Sequence, residues 1–203
     1  MLDKEPLNLN YGNLRFLTEY INNEGVFIAG GAFKNALSGE KVRDIDIYGV
    51  DSKSVDRELE FFNKDSERFS PRYHNDNVTA FYDNKNEVTL EVVTGFMARP
   101  EEIMEDFDFT IVKAYISAGR DENNELTFYV SFHEKFFEHL FMKRLVLDNG
   151  TPFPASTFNR MLKYAGYGYK PCYETKIEIL HLINELTNVD EDELTKSLYA
   201  GFD

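Results

Sequence analysis

Apolar residues recur along this chain in two periods, and the change from one to the other marks out its elements. Leu14, Leu17 and Ile21 share one face of a helix expected over 13–21. The polar connection Asn22-Asn23-Glu24-Gly25 ends it, and Val26-Phe27-Ile28-Ala29 follows as a short buried strand running into Gly30-Gly31. Ala32 to Leu37 fits a short helix closed by Ser38-Gly39. From Val42 to Val50 the period becomes two, with Asp44 and Asp46 alternating with Ile45 and Ile47, so a strand is expected there.

The pattern then returns to a helix over 54–63, with Val55, Leu59 and Phe62 on its apolar side. Val78–Tyr82 and Val88–Val93 flank Asp83-Asn84-Lys85-Asn86 and predict a hairpin. Pro100-Glu101-Glu102 has the proline and acids of a helix start. The period over 109–116 is ambiguous, whereas 126–130 predicts a further strand. Beyond it the expectation is helical, over 133–147, 155–165 and 174–186, with Asp190 and Glu193 at capping-box spacing for a last short helix. Phe132, Phe136, Phe137, Leu140 and Phe141 are expected to face a core. The domain organisation predicted is a mixed α/β region over 1–131 and a helical region over 132–203, packed as one unit with the first.

Composition narrows the setting. A chain of 203 residues is expected to bury roughly 70% of its unfolded surface without metal or disulfide staples. Cys172 is the sole cysteine, which rules out an intrachain disulfide and fits a reducing compartment. The first ten residues lack both the basic stretch and the apolar run of a signal peptide. No segment approaches the ~18 apolar residues that a membrane span needs, so a cytoplasmic protein is expected. A net charge of -14 opposes binding to long double-stranded nucleic acid. Lys135, Lys143, Arg144, Arg160, Lys163 and Lys170 nevertheless form a locally basic stretch able to meet a nucleotide or the end of a nucleic acid.

Two features carry chemistry. In a strand, Asp44 and Asp46 point the same way while Ile45 and Ile47 enter the core. Carboxylates that close raise each other's pKa unless a cation lies between them, and magnesium favours such hard oxygens together with substrate phosphates. A two-metal arrangement needs a third carboxylate nearby, and Glu91, an acid inside the apolar run 89–93, is the candidate. Gly30-Gly31, between a strand and a helix, allows positive φ and close backbone approach, with helix amides able to receive a phosphate. Their order, glycine turn and then Asp-x-Asp strand, brings a phosphate site beside a metal site. Phosphoryl transfer depends on such positioning and charge neutralisation. The four histidines have no metal-ligand spacing, and Tyr164, Tyr167, Tyr169 and Tyr173 read as a packing surface.

The segment Gly30 to Ile47 resembles the head segment of the polymerase-beta-like nucleotidyltransferases, above all the CCA-adding tRNA nucleotidyltransferases and bacterial poly(A) polymerases. Leu90-Glu91-Val92-Val93-Thr94, Asp108-Phe109-Thr110-Ile111-Val112-Lys113-Ala114 and Phe158 to Tyr164 resemble later segments of the same family. Lys34-Asn35 stands where that family has Arg-Asp, Phe107 where it has a basic residue, and Lys163 where it has arginine. The resemblance implies an α+β nucleotidyltransferase fold, a small mixed β-sheet flanked by helices, with a helical C-terminal part. It implies magnesium at Asp44, Asp46 and Glu91, and a nucleoside triphosphate held by Gly30, Gly31 and Lys34 with Arg160 and Lys163 nearby. The implied reaction moves a nucleoside monophosphate to a hydroxyl on an RNA 3′ end, a small molecule or a protein, releasing pyrophosphate. The competing reading is a catalytically silent member of the fold that binds a nucleotide or a protein, and the direction in which Glu91 points separates the two.

Overall fold

The computed structural model describes residues 4–185, which fall into two compact units. The first comprises the residues up to Met104 together with Val112–Glu134. Its strands are β1 (Glu5–Pro6), β2 (Val26–Ala29), β3 (Asp44–Gly49), β4 (Phe69–His74), β5 (Val78–Asp83), β6 (Val88–Val93), β7 (Ala114–Arg120) and β8 (Leu126–Phe132). Among the described residues they form one eight-stranded sheet in the order β1-β8-β7-β2-β3-β6-β5-β4. The sheet is mixed, because β3 and β6 run parallel while every other pairing is antiparallel.

Period two decides which side chains face inward. Ile45 and Ile47 of β3 are fully buried, while Asp44 is exposed and Asp46 half-buried on the other face. Helix α1 (Gly31–Ser38) begins at the glycine turn and ends at Gly39, whose φ of 70° is the left-handed cap that glycine adopts without strain. Helix α2 (Ser52–Lys64) starts earlier than its apolar pattern suggests, because the Asp51 side chain accepts from the Ser54 N–H at 2.8 Å. Its inner side carries Val55 and Phe62, and also the buried acid Glu58. Helix α3 (Pro100–Asp106) starts at its proline.

Several expectations are corrected. The first helix is a kinked 3-10 segment over Leu9–Tyr20, although Leu14, Leu17 and Ile21 are buried as their spacing implies. Strand β4 had no counterpart in the sequence pattern, since Pro71 and its polar neighbours mask it. Over the ambiguous stretch, a short 3-10 turn at Thr110–Val112 gives way to β7.

The second unit comprises Glu105–Ile111 and the residues from Lys135 on. The helix expected over 133–147 is only α4 (Phe136–Phe141), and Lys143, at φ 51°, turns the chain into β9 (Arg144–Leu145). Phe136 and Leu140 are buried, but Phe141 is 71% exposed, a second correction. Helices α5 (Pro154–Gly166) and α6 (Tyr173–Asn184) follow, separated by β10 (Lys170–Pro171), which pairs in parallel with β9. Proline at the start of α5 occupies a position where its missing N–H costs nothing. Leu186 and the Asp190/Glu193 pair lie outside the described residues. No helix among the described residues is long and apolar enough to cross a membrane.

Candidate functional site

The parallel pairing of β3 with β6 sets Asp46 directly beside Glu91, and Asp44 beside Thr89. Registered residues of adjacent strands share a face, so the three carboxylates stand on one side of the sheet. Burial, then the Glu91 charge, then the Asp44 charge push the Asp46 carboxyl up to about 8. The same face carries Tyr48, whose hydroxyl burial and the Asp46 and Glu91 charges raise well above its ordinary value. A cation shared among these oxygens would favour the ionised form of Asp46.

The row extends sideways through registered pairs. Ala29 of β2 lies beside Asp46 on one side, and Ala80 of β5 lies beside Glu91 on the other. Ala80 in turn pairs with Tyr73 of β4. Its methyl group leaves room for the Tyr73 hydroxyl to cross and donate to Glu91 Oε1 at 2.6 Å. Burial and the bond to Glu91 raise the Tyr73 hydroxyl above its ordinary value, which keeps it a donor. Arg72, one residue earlier, donates to Thr89 Oγ1 on the same face. Neither residue stands out in the sequence, where Pro71 inside a polar run is the sole signal of an edge strand.

Because Ala29 pairs with Asp46, the glycine turn that follows it lies at the Asp44 end of β3. Gly30 adopts φ 99° and ψ -145°, and its N–H donates to the Ala114 carbonyl at 3.1 Å. At Gly31 an added Cβ would meet nothing within 4 Å, so the backbone there is open. Lys34 is 3% exposed, bonded to Asn35 Oδ1 and paired with Glu40 at 3.4 Å.

Arg160 and Lys163 belong to the second unit. Arg160 Nε donates to Asp108 Oδ2 at 2.7 Å, and the Thr157 hydroxyl reaches the same oxygen at 3.0 Å. Asp108 is 3% exposed, so this pair ties α5 to the segment before it. Lys163 is exposed on α5. Tyr164 packs on Phe109 and Tyr169, whereas Tyr173 is 69% exposed.

Among the described residues no group of three or more His, Cys, Asp or Glu side chains is arranged to hold a metal by itself. Magnesium does not require one, since it is bound through one or two carboxylates together with substrate phosphates and water. The donor chemistry here, hard oxygens with a half-buried one whose carboxyl is pushed up to about 8, fits a cation shared with a phosphate.

A mixed sheet with a glycine turn leading into a short helix and an Asp-x-Asp strand defines the nucleotidyltransferase type of α+β fold, and solved structures agree. A tRNA-processing enzyme with CTP matches at TM-score 0.56 and 18% identity, over 87% of this chain and 48% of its own. An apo form of a tRNA-processing enzyme matches at TM-score 0.61 and 16% identity, over 98% and 54%. The Thermotoga maritima CCA-adding enzyme complexed with tRNA matches at TM-score 0.57 and 14% identity, over 91% and 47%. At these identities the likeness is one of fold, and the chain spans about half the length of those structures. Among curated proteins none matches. Residues 8–143 match the Gabija anti-defense 2 family, and the chain belongs to that family.

Proposed function

We propose that this chain is a magnesium-dependent nucleotidyltransferase whose transfer serves the anti-defence role in its family's name. The observation that carries the reading is the β3–β6 pairing, which sets Asp46 beside Glu91 on the face of Asp44; burial, then the Glu91 and Asp44 charges, push the Asp46 carboxyl there up to about 8. Asp44, Asp46 and Glu91 would hold the metal, which when bound offsets the charge of the triphosphate and lowers the pKa of an acceptor hydroxyl. The Gly30-Gly31 backbone receives the β- and γ-phosphates. The acceptor oxygen attacks the α-phosphorus, the bond to the bridging α–β oxygen breaks, and pyrophosphate leaves. The hydroxyl proton passes to water. Tyr73 holds Glu91 in place throughout. Lys34 is proposed to aid the phosphates by charge, and Arg160 and Lys163 are separate proposals for nucleotide contact. The lone cysteine fits a cytoplasmic setting.

A binding-only reading draws on Lys34, which is buried against Glu40 rather than extended. One assay separates the two. Purified protein with Mg²⁺ is given each of the four ribonucleoside triphosphates, with and without total RNA and cell extract. Pyrophosphate release is expected with at least one combination, and the Asp44→Ala/Asp46→Ala variant should lose it by roughly a hundred- to thousand-fold. Triphosphate binding without release by the folded protein across the panel would favour the binding-only reading.

A further inference from the structure

Nucleotidyl transfer needs a hydroxyl beside the carboxylates that would hold the metal, and the chain itself puts one there. Tyr73 Oη lies 2.6 Å from Glu91 Oε1 and donates to it. The side chain is 44% exposed, so a nucleotide joined to its oxygen has room outside the sheet. Neighbouring hydroxyls of this face are engaged elsewhere. Thr89 is buried and its hydroxyl accepts from Arg72, while the Tyr115 hydroxyl donates to Glu101 at 2.8 Å. The strand itself sets Tyr73 in place. The register of β4 against β5 shifts between Pro71 and Tyr73, and this bulge re-aims the strand at that point. Ala80, which lies between Tyr73 and Glu91 in the sheet, is too short to block the crossing.

Order across the sheet supplies the direction of attack. The glycine turn follows β2, on one side of Asp46, whereas Glu91, β5 and the β4 bulge lie in sequence on the other. With the β- and γ-phosphates on the glycine side, the leaving pyrophosphate and the Tyr73 oxygen flank the α-phosphorus from opposite sides. An in-line displacement requires that arrangement. We infer that Tyr73 is itself an acceptor, and that with no outside hydroxyl bound the chain transfers a nucleoside monophosphate to its own tyrosine. Tyr73 Oη attacks the α-phosphorus, the bond to the bridging α–β oxygen breaks, and pyrophosphate leaves. The phenolic proton passes along the existing hydrogen bond to Glu91 Oε1 and from there to water. The product is a phosphodiester between the tyrosine oxygen and the nucleoside. Each chain offers one such oxygen, so the reaction stops after a single transfer. Toward an outside acceptor, Tyr73 stays unmodified and keeps Glu91 in place. The inference rests on the nucleotidyl-transfer reading and goes beyond it to a modification site within this chain.

Full-length protein is incubated with Mg²⁺ and each of the four ribonucleoside triphosphates, α-labelled, without added acceptor. Intact mass is read before and after, so a chain already modified on purification counts as labelled. At least one triphosphate should leave its α-label covalently on the denatured protein, rising to at most one nucleoside monophosphate per chain. A γ-label should not be retained. Fragmentation of the digested protein should place the group on Tyr73, and both Tyr73→Phe and Asp44→Ala/Asp46→Ala should remain unlabelled. Because Tyr73 and Glu91 belong to one chain, the fraction labelled per unit time should not change when the protein is diluted at constant triphosphate. Label on another residue with Tyr73 bare overturns the inference, as does undiminished labelling of Tyr73→Phe or a rate that falls in proportion to dilution. Folded protein that releases pyrophosphate with RNA or cell extract, yet stays unlabelled, also overturns it and leaves nucleotidyl transfer standing. Pyrophosphate release under no condition sinks both.

Discussion

Glu58 is fully buried on α2 and accepts from the Asn22 N–H at 3.2 Å and from Asn23 Nδ2 at 2.9 Å. Burial outweighs those bonds and the Arg57 charge, and pushes its carboxyl up to about 8. The folded protein therefore binds a proton that the unfolded chain releases near pH 4.5. Through Glu58, folding stability should fall as pH rises from about 4.5 to about 8, by at most about 1.4 kcal/mol per unit, and Asp46 adds a decline of the same sign. Urea midpoints measured at intervals from pH 5 to 9 should show that decline, and Glu58→Gln should reduce it to the part due to Asp46; an unchanged slope in the variant removes Glu58 as a source. Glu58 also shows where sequence reading stops. Its spacing from Val55 and Phe62 puts it on the apolar side of α2, but nothing in the sequence shows that the Asn22 and Asn23 donors stand over it. Asp44 and Asp46 are the opposite case, since period two alone separates them from the buried Ile45 and Ile47.

The same contrast holds among elements. Strands β2, β3, β5 and β6 and helices α1 and α2 were legible because each follows one clean period bounded by glycine, asparagine or aspartate. Strand β4 was not, because an edge strand with Pro71 and a bulge has no alternation to read. The 3-10 segment keeps the apolar face of a helix, so the face was legible and the winding was not. Segment 133–147 misleads because its aromatics fit a long helix, while Lys143 takes the left-handed conformation and ends it. At the start of α1 the glycine requirement is backbone geometry. With Gly30 at φ 99°, Gly30→Ala should cost roughly 1–3 kcal/mol, read as a lowered thermal midpoint. Gly31→Ala meets no neighbouring atom and should cost less, and equal losses at both positions would contradict the strain argument.

At the scale of the whole molecule, the site and the chain's family give different kinds of information. The carboxylate row lies wholly within the first unit, where β3 and β6 bring together Asp46 and Glu91 from 45 positions apart in the sequence. The fold is that of enzymes about twice as long, and the family name gives a role in anti-defence with no chemistry attached. What joins the two is the claim that this chain transfers a nucleotide, and the fate of the triphosphate's phosphorus atoms tests it most directly. The protein is supplied with Mg²⁺, an oligoribonucleotide and a triphosphate labelled at both the α- and γ-phosphorus. Nucleotidyl transfer predicts the α-label on the acceptor and the γ-label in pyrophosphate in equal amounts, with neither product formed by Asp44→Ala/Asp46→Ala. The γ-label on the acceptor, or its release as orthophosphate with the α-label left in a diphosphate, would contradict the account.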